Sequence, residues 1–178
     1  PTATTESCDL LVAPVNHWDP ATVHSLRTTF GDRFLYGWDY VLLDDEVTAL
    51  PIHAPGPVVF CAGGSDPQGM LSQMLAWAGM PHAGEEWIAL LPQYGMGMPA
   101  VPEWVRAVPF SRDLVRQAAL LVTTFGVTCY VAIWWGVPTF MLSTTAATRD
   151  DAVRLMRASR GAVRAVGIPE PGFPDTLR

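Results

Sequence analysis

The chain has no lysine. All eleven of its cations are arginine, set against seventeen acidic residues, for a formal net charge of −6. A nucleic-acid-binding surface shows in sequence as a basic stripe, and none runs through this one, so no nucleic-acid partner is expected. The five arginines from 149 to 164 are interleaved with Asp150 and Asp151 at the spacing of a solvated helix face. Cysteine is scarce too: Cys8, Cys61 and Cys129 lie far apart, with no CxxC pair and no histidine at ligand spacing. This excludes a disulfide framework and predicts buried free thiols in a reducing compartment, hence a cytoplasmic protein. The longest apolar stretches, near 117–122 and 129–138, are too short and interrupted to cross a bilayer, and no signal-peptide pattern is present. The histidines at 17, 24, 53 and 82 form no metal motif, so neither a metal nor a cofactor is expected. Ser65 and Ser111 lack a GxSxG setting, which argues against a serine hydrolase. There is no internal repeat.

What is present is a large apolar fraction, 49% of 178 residues with only 16% charged, enough for one ordinary globular core. Short apolar runs alternate with helix-period segments. The runs at 9–14, 40–44, 57–63, 86–92, 105–110, 119–124, 138–143 and 162–167 predict strands. Several are rich in Val, Leu and Ile without strict alternation, the pattern of strands buried on both faces. Between them, 20–29, 66–78, 111–118, 127–136 and 148–159 predict helices. The alternation predicts an α/β fold, a Rossmann-like three-layer arrangement around a parallel sheet. "ALPIHAPGPV", 49–58, with three prolines and a glycine, reads as a linker. It divides an N-terminal segment, 1–48, from a more complete α/β domain over 58–178. "PQYGMGMPAVPEW", 92–104, reads as a surface loop.

In an open α/β sheet ligands sit at the carboxyl ends of strands, against helix N-termini. Two strand-to-helix turns have the chemistry for this. In the first, Gly63-Gly64-Ser65-Asp66-Pro67, the glycines permit close backbone approach, Asp66 or Ser65 suits a helix cap, and Pro67 suits a first helical turn. Exposed amides there would favour an anion, and an ordinary capped helix start explains the same residues. In the second, "TTFGVTCYVAIWWGVPTF" (123–140), Gly126 makes the turn and Thr128 opens an apolar helix. Thr123, Thr124 and Thr128 are possible ligand partners, although threonines are also common at strand ends and caps. Trp134 and Trp135 read as core or interface residues. His17, in a loop after a strand, is a candidate general base at neutral pH, with an exposed loop histidine as the plainer reading. Asp44-Asp45-Glu46 reads as a solvated turn or a carboxylate cluster.

Taken in order, "CDLLVAP…FLYGWDYVLLDDEV…PVVFCAGGSDPQGM" resembles the middle of the UDP-sugar hydrolases of the pseudaminic-acid pathway. "FSRDLVRQAALLVTTFGVTCYVAIWWGVPTFMLS" resembles their later part and the donor-binding half of glycosyltransferase family 28. The likeness covers roughly residues 8 to 167, with GGSDP its most distinctive word. It implies a GT-B C-terminal-domain type of fold and a UDP-sugar or related nucleotide sugar as ligand. By position it places Gly63, Gly64, Ser65 and Asp66 against the pyrophosphate or the reacting sugar. Thr124, Gly126, Val127 and Thr128 would lie beside the phosphates, and Phe110, within 105–112, near the base.

The sequence departs from the family at two places. Val131 stands where the family has a Glu that binds ribose hydroxyls. The family's Asn/Asp-Gln sugar-binding pair would fall near Ala147-Thr148 or Arg149. The family's N-terminal domain is represented only by its last segment, residues 1–48. The resemblance therefore implies a nucleotide-sugar-binding half of a hydrolase or transferase, working with a separate N-terminal half or as a homo-oligomer. The alternative expectation is a non-catalytic domain of the same fold, retained for assembly or protein interaction.

Overall fold

The structure is a computed structural model, and it describes residues 8–15, 17–41, 55–94, 99–160 and 163–165. The chain divides into two compact units, Pro1–Asp45 and Glu46–Arg178.

The first unit is a single β-α-β turn of chain. Strand β1 (Leu11–Ala13) and strand β2 (Phe34–Tyr36) pair in parallel around helix α1 (Pro20–Phe30). Asp19 caps α1 by accepting from the Thr22 amide at 2.9 Å, and Pro20 opens the helix, where a missing amide hydrogen costs nothing. Ala13, Phe30 and Phe34 form its small core, with Trp18 and Tyr36 stacked against Phe34. Strand β2 lies outside the predicted strands. The predicted strand at 40–44 is not found at its start, because Trp38–Tyr40 forms a 3-10 turn after Gly37; residues 42–44 lie outside the described residues.

The second unit holds a six-stranded parallel sheet. Its strands are β3 (Val58–Cys61), β4 (Trp87–Leu91), β5 (Arg106–Pro109), β6 (Leu120–Thr124), β7 (Thr139–Leu142) and β8 (Val163–Ala165), in the order β5-β4-β3-β6-β7-β8. Every neighbouring pair is parallel. Counted from β3, this is the 3-2-1-4-5-6 order of a Rossmann-like fold. Helices α2 (Met70–Ala78), α3 (Arg112–Arg116), α4 (Val127–Trp135) and α5 (Ala146–Ala158) connect the strands.

Side-chain alternation along the strands explains the three layers. Phe60 and Ala62 of the β3 segment, with Trp87 and Ala89 of β4, pack on Met70, Leu71, Met74 and Leu75 of α2. Val59, Cys61, Ile88, Leu90 and Leu121 point the other way, onto Val115 of α3 and Ala132 of α4. Both faces of the central strands are therefore covered, as their unbroken apolar runs require. Burial of each large α2 side chain contributes about 1.5–3 kcal/mol. The sequence of α4, VTCYVAIWW, is a poor helix former by propensity. It is helical because Cys129, Tyr130 and Ala132 are buried, and because Gly136 ends it in the left-handed region, donating to Ala132 and Ile133. Before β3, Gly56 lies so close to the chain at 117–119 that a Cβ would overlap the Gln117 carbonyl oxygen, and Pro57 accepts from the Ala119 amide.

Candidate functional site

The chain winds from β3 out to β5, then crosses back to β6 on the other side of β3. The carboxyl ends of β3 and β6 are thus the topological switch point, where neighbouring connections leave in opposite directions and open a crevice. The two glycine turns singled out in the sequence meet here. Cys61 is in register with Thr123, and the Thr124 hydroxyl donates to the Ala62 carbonyl at 3.0 Å, lacing one turn to the other.

The β3–α2 turn is closed by its own carboxylate. Asp66 accepts from the Met70 amide at 2.6 Å and from the Leu71 amide at 2.9 Å. Gly69, at φ 63°, donates its amide to the Asp66 carbonyl, so Asp66-Pro67-Gln68-Gly69 forms a reverse turn with proline at its second position. Helix α2 consequently starts at Met70 rather than at 66, and Pro67 belongs to the turn instead of the helix. A negative charge already sits on the amides that a phosphate would use. Gly63, at φ 97°, and the exposed Gly64 and Ser65 keep an open surface beside it.

The β6–α4 turn is open. Among the described residues, α4 is the one α-helix whose N-terminal amides donate to no capping side-chain oxygen. Gly126 is its N-cap in extended backbone, and the Val127 and Thr128 amides lead the helix with no carboxylate in the first turn. The helix dipole makes this end partly positive. The threonine hydroxyls face the protein: Thr124 bonds Ala62, Thr123 lies 3.4 Å from the Thr124 carbonyl, and Thr128 hydrogen-bonds the Cys61 sulfur. What this turn offers a ligand is therefore backbone.

Next to it, between α3 and α4, lies a cavity of about 210 Å3 lined by Phe110, Arg112, Val115, Val127, Thr128, Val131 and Trp135. That is below the ~300–1,000 Å3 of a pocket enclosing a whole small molecule, and fits one ring of a larger ligand. Arg112 is its only charged lining residue, and none of the others is an acid or a general base. Val131 presents a hydrocarbon wall to the cavity. Ser111 caps α3 by accepting from the Leu114 amide, which fixes the start of the helix that carries Arg112.

Two thiols lie beneath the turns. Burial pushes the Cys61 thiol up, opposed by hydrogen bonds from the Gly63 amide and the Thr128 and Thr123 side chains. Burial pushes Cys129 from 9.0 to about 12, with the nearby Cys61 adding to the rise. All three cysteines are free. Cys61 and Cys129 are therefore neutral packing residues near neutral pH, not nucleophiles.

The structure thus gathers Phe110, Val127 and Thr128 around one cavity, with Gly126 and Thr124 in the adjoining turn and Gly63, Gly64, Ser65 and Asp66 in the neighbouring one. His17 belongs to the first unit, half-buried after β1. Trp135 is half-buried in the core while Trp134 is exposed. Asp44-Asp45-Glu46 lies outside the described residues. Arg112 and Tyr94 emerge only in three dimensions. Among the described residues, no cluster of three or more His, Cys, Asp or Glu could hold a metal, and no helix is long and apolar enough to cross a membrane. No family model matches the chain, and no curated protein matches it.

Proposed function

We propose that this chain is the nucleotide-sugar-binding half of a GT-B type hydrolase or glycosyltransferase, with a UDP-sugar as ligand. The observation that carries the proposal is the open N-terminus of α4 at the switch point, beside a ring-sized cavity bearing Arg112. The diphosphate lies on the Val127 and Thr128 amides, where dipole and guanidinium favour it. The base enters between Phe110 and Val131. The reaction is displacement at the anomeric carbon or at phosphorus with the nucleotide as leaving group. Backbone donors of the β6–α4 turn stabilise the negative charge that develops on it. No lining residue takes up a proton, so the base for that step comes from groups outside this cavity, in another domain or subunit.

The same absence, with Val131 in the lining, favours a second reading in which the domain binds a nucleotide sugar without turning it over. Calorimetry with UDP, UDP-GlcNAc and GDP tests the binding common to both, and the expected result is saturable UDP binding. Absence of binding at millimolar ligand contradicts both readings and leaves the assembly role.

A further inference from the structure

We propose that Tyr94 is the stacking wall for the sugar ring of the ligand, so that a pyranose lies over the Gly63-Gly64-Ser65 turn. This inference rests on the nucleotide-sugar reading above and assigns the part of the ligand beyond the diphosphate. Tyr94 follows β4, which flanks β3 on the side away from β6. Its amide donates to the Gly64 carbonyl at 2.9 Å, and Ser65 and Tyr94 form a parallel bridge. The ring lies alongside the turn, since a Cβ at Gly64 would stand 3.9 Å from Cδ2 of Tyr94. Although its backbone is fixed in this way, the residue is 71% exposed. An anchored aromatic ring with a bare face is a contact surface of low entropic cost, because only two side-chain torsions remain to be ordered.

The surrounding chemistry selects a neutral polar ring over an anion. The Asp66 carboxylate already holds the Met70 and Leu71 amides, and neither 62–69 nor 91–94 contains a basic residue. A phosphate is repelled at this turn, whereas the C–H face of a sugar packs on the tyrosine with the exposed Ser65 hydroxyl beside it. On the other side of the switch point, beyond β7, the buried Ser143 hydroxyl has no hydrogen-bond partner among the described residues, and the two cap threonines of α5 are engaged with each other. Thr145 and Thr148 cap α5 reciprocally, each side chain bonding the other's amide at about 3 Å. Strands β4 and β6 lie two sheet spacings apart, roughly 10 Å. That spacing leaves room for one sugar ring between Tyr94 and the diphosphate on α4.

The test compares UDP with UDP-GlcNAc by calorimetry and saturation-transfer NMR on the wild-type chain, Tyr94→Ala and Tyr94→Phe. Thermal midpoints check that the variants fold. The expected result is that UDP-GlcNAc binds about tenfold more tightly than UDP, with saturation passing from aromatic protons to the pyranose. Tyr94→Ala should remove this increment and leave UDP binding unchanged, while Tyr94→Phe keeps it. If Tyr94→Ala keeps the increment, or weakens UDP and UDP-GlcNAc equally, the sugar assignment is overturned while the nucleotide reading stands. If UDP binds to none of the three proteins, the nucleotide reading falls and the stacking role falls with it.

Discussion

The β3–α2 and β6–α4 turns lie side by side at the switch point, both glycine-bearing and both leading into an apolar helix. In one, Asp66 holds the first amides of α2; in the other, the first amides of α4 meet no side-chain acceptor. The difference teaches that a glycine turn is not by itself an anion site. What decides it is whether the chain already supplies the anion. The more distinctive sequence word, GGSDP, marks the turn that fills its own site, and the plainer TTFGVT marks the one left open.

The largest expected effect concerns the floor under both turns. Cys129, in the first turn of α4, has its pKa raised from 9.0 to about 12 by burial, with Cys61 raised in the same direction. Between pH 9 and 12 the unfolded chain gives up the Cys129 proton while the folded chain keeps it. The folded state then binds more protons, so stability falls as pH rises. The slope is up to ~1.4 kcal/mol per pH unit, and the contribution is fully present below pH 9. Chemical denaturation at a series of pH values should show this decline, and Cys129→Ala should flatten it. A wild-type slope no steeper than that of the variant would show that the thiol is not sealed beneath the turn.

The comparison can be broken directly by giving α4 what α2 has. Gly126 is in extended backbone that any residue adopts, and a Cβ there meets nothing within 4 Å. Gly126→Asp should therefore fold, with stability equal to or a few tenths of a kcal/mol above wild type, because Asp slightly outranks Gly as an N-cap. Its carboxylate, accepting from the Thr128 or Cys129 amide and placing a negative charge at the helix N-terminus, should weaken UDP binding tenfold or more. Unchanged affinity would move the diphosphate away from this helix.

The reverse change is smaller. Asp66→Ala should cost about 1 kcal/mol of stability through the lost cap, read as a lower denaturation midpoint. It should leave UDP affinity within about twofold if the diphosphate binds on the other turn, as proposed. Smallest of all is the difference between UDP and its 2′-deoxy analogue. Val131 accepts no hydrogen bond, so the two should bind within about twofold. A strong preference for the ribose would require a hydroxyl partner outside the cavity lining.

Much of the fold was legible in the sequence because its central strands are buried on both faces. Val58–Cys61 and Trp87–Leu91 are unbroken apolar runs, Leu120–Thr124 is apolar up to its two closing threonines, and such runs announce a parallel sheet. Strand β2 was not legible, because three residues, Phe34-Leu35-Tyr36, carry too little pattern to separate from their surroundings. The start of α2 was misplaced for a chemical reason. Asp-Pro-x-Gly is as good a reverse turn as a helix start, and Gly69 in the left-handed region chose the turn. In the candidate site, Phe110, Val127 and Thr128 were found in sequence and do share a cavity. Arg112 and Tyr94 were not, since an arginine opening a short helix and a tyrosine in a Gly/Met loop carry no local signal. Their significance comes from the sheet order, which brings the ends of β4, β3 and β6 together.

The most direct test of the account is a titration of 15N-labelled protein with UDP, followed by amide chemical shifts. The Val127 and Thr128 amides should move most, and the Met70 and Leu71 amides, held by Asp66, should stay in place. Unmoved Val127 and Thr128 at millimolar UDP, or shifts centred on Met70 and Leu71, would contradict it.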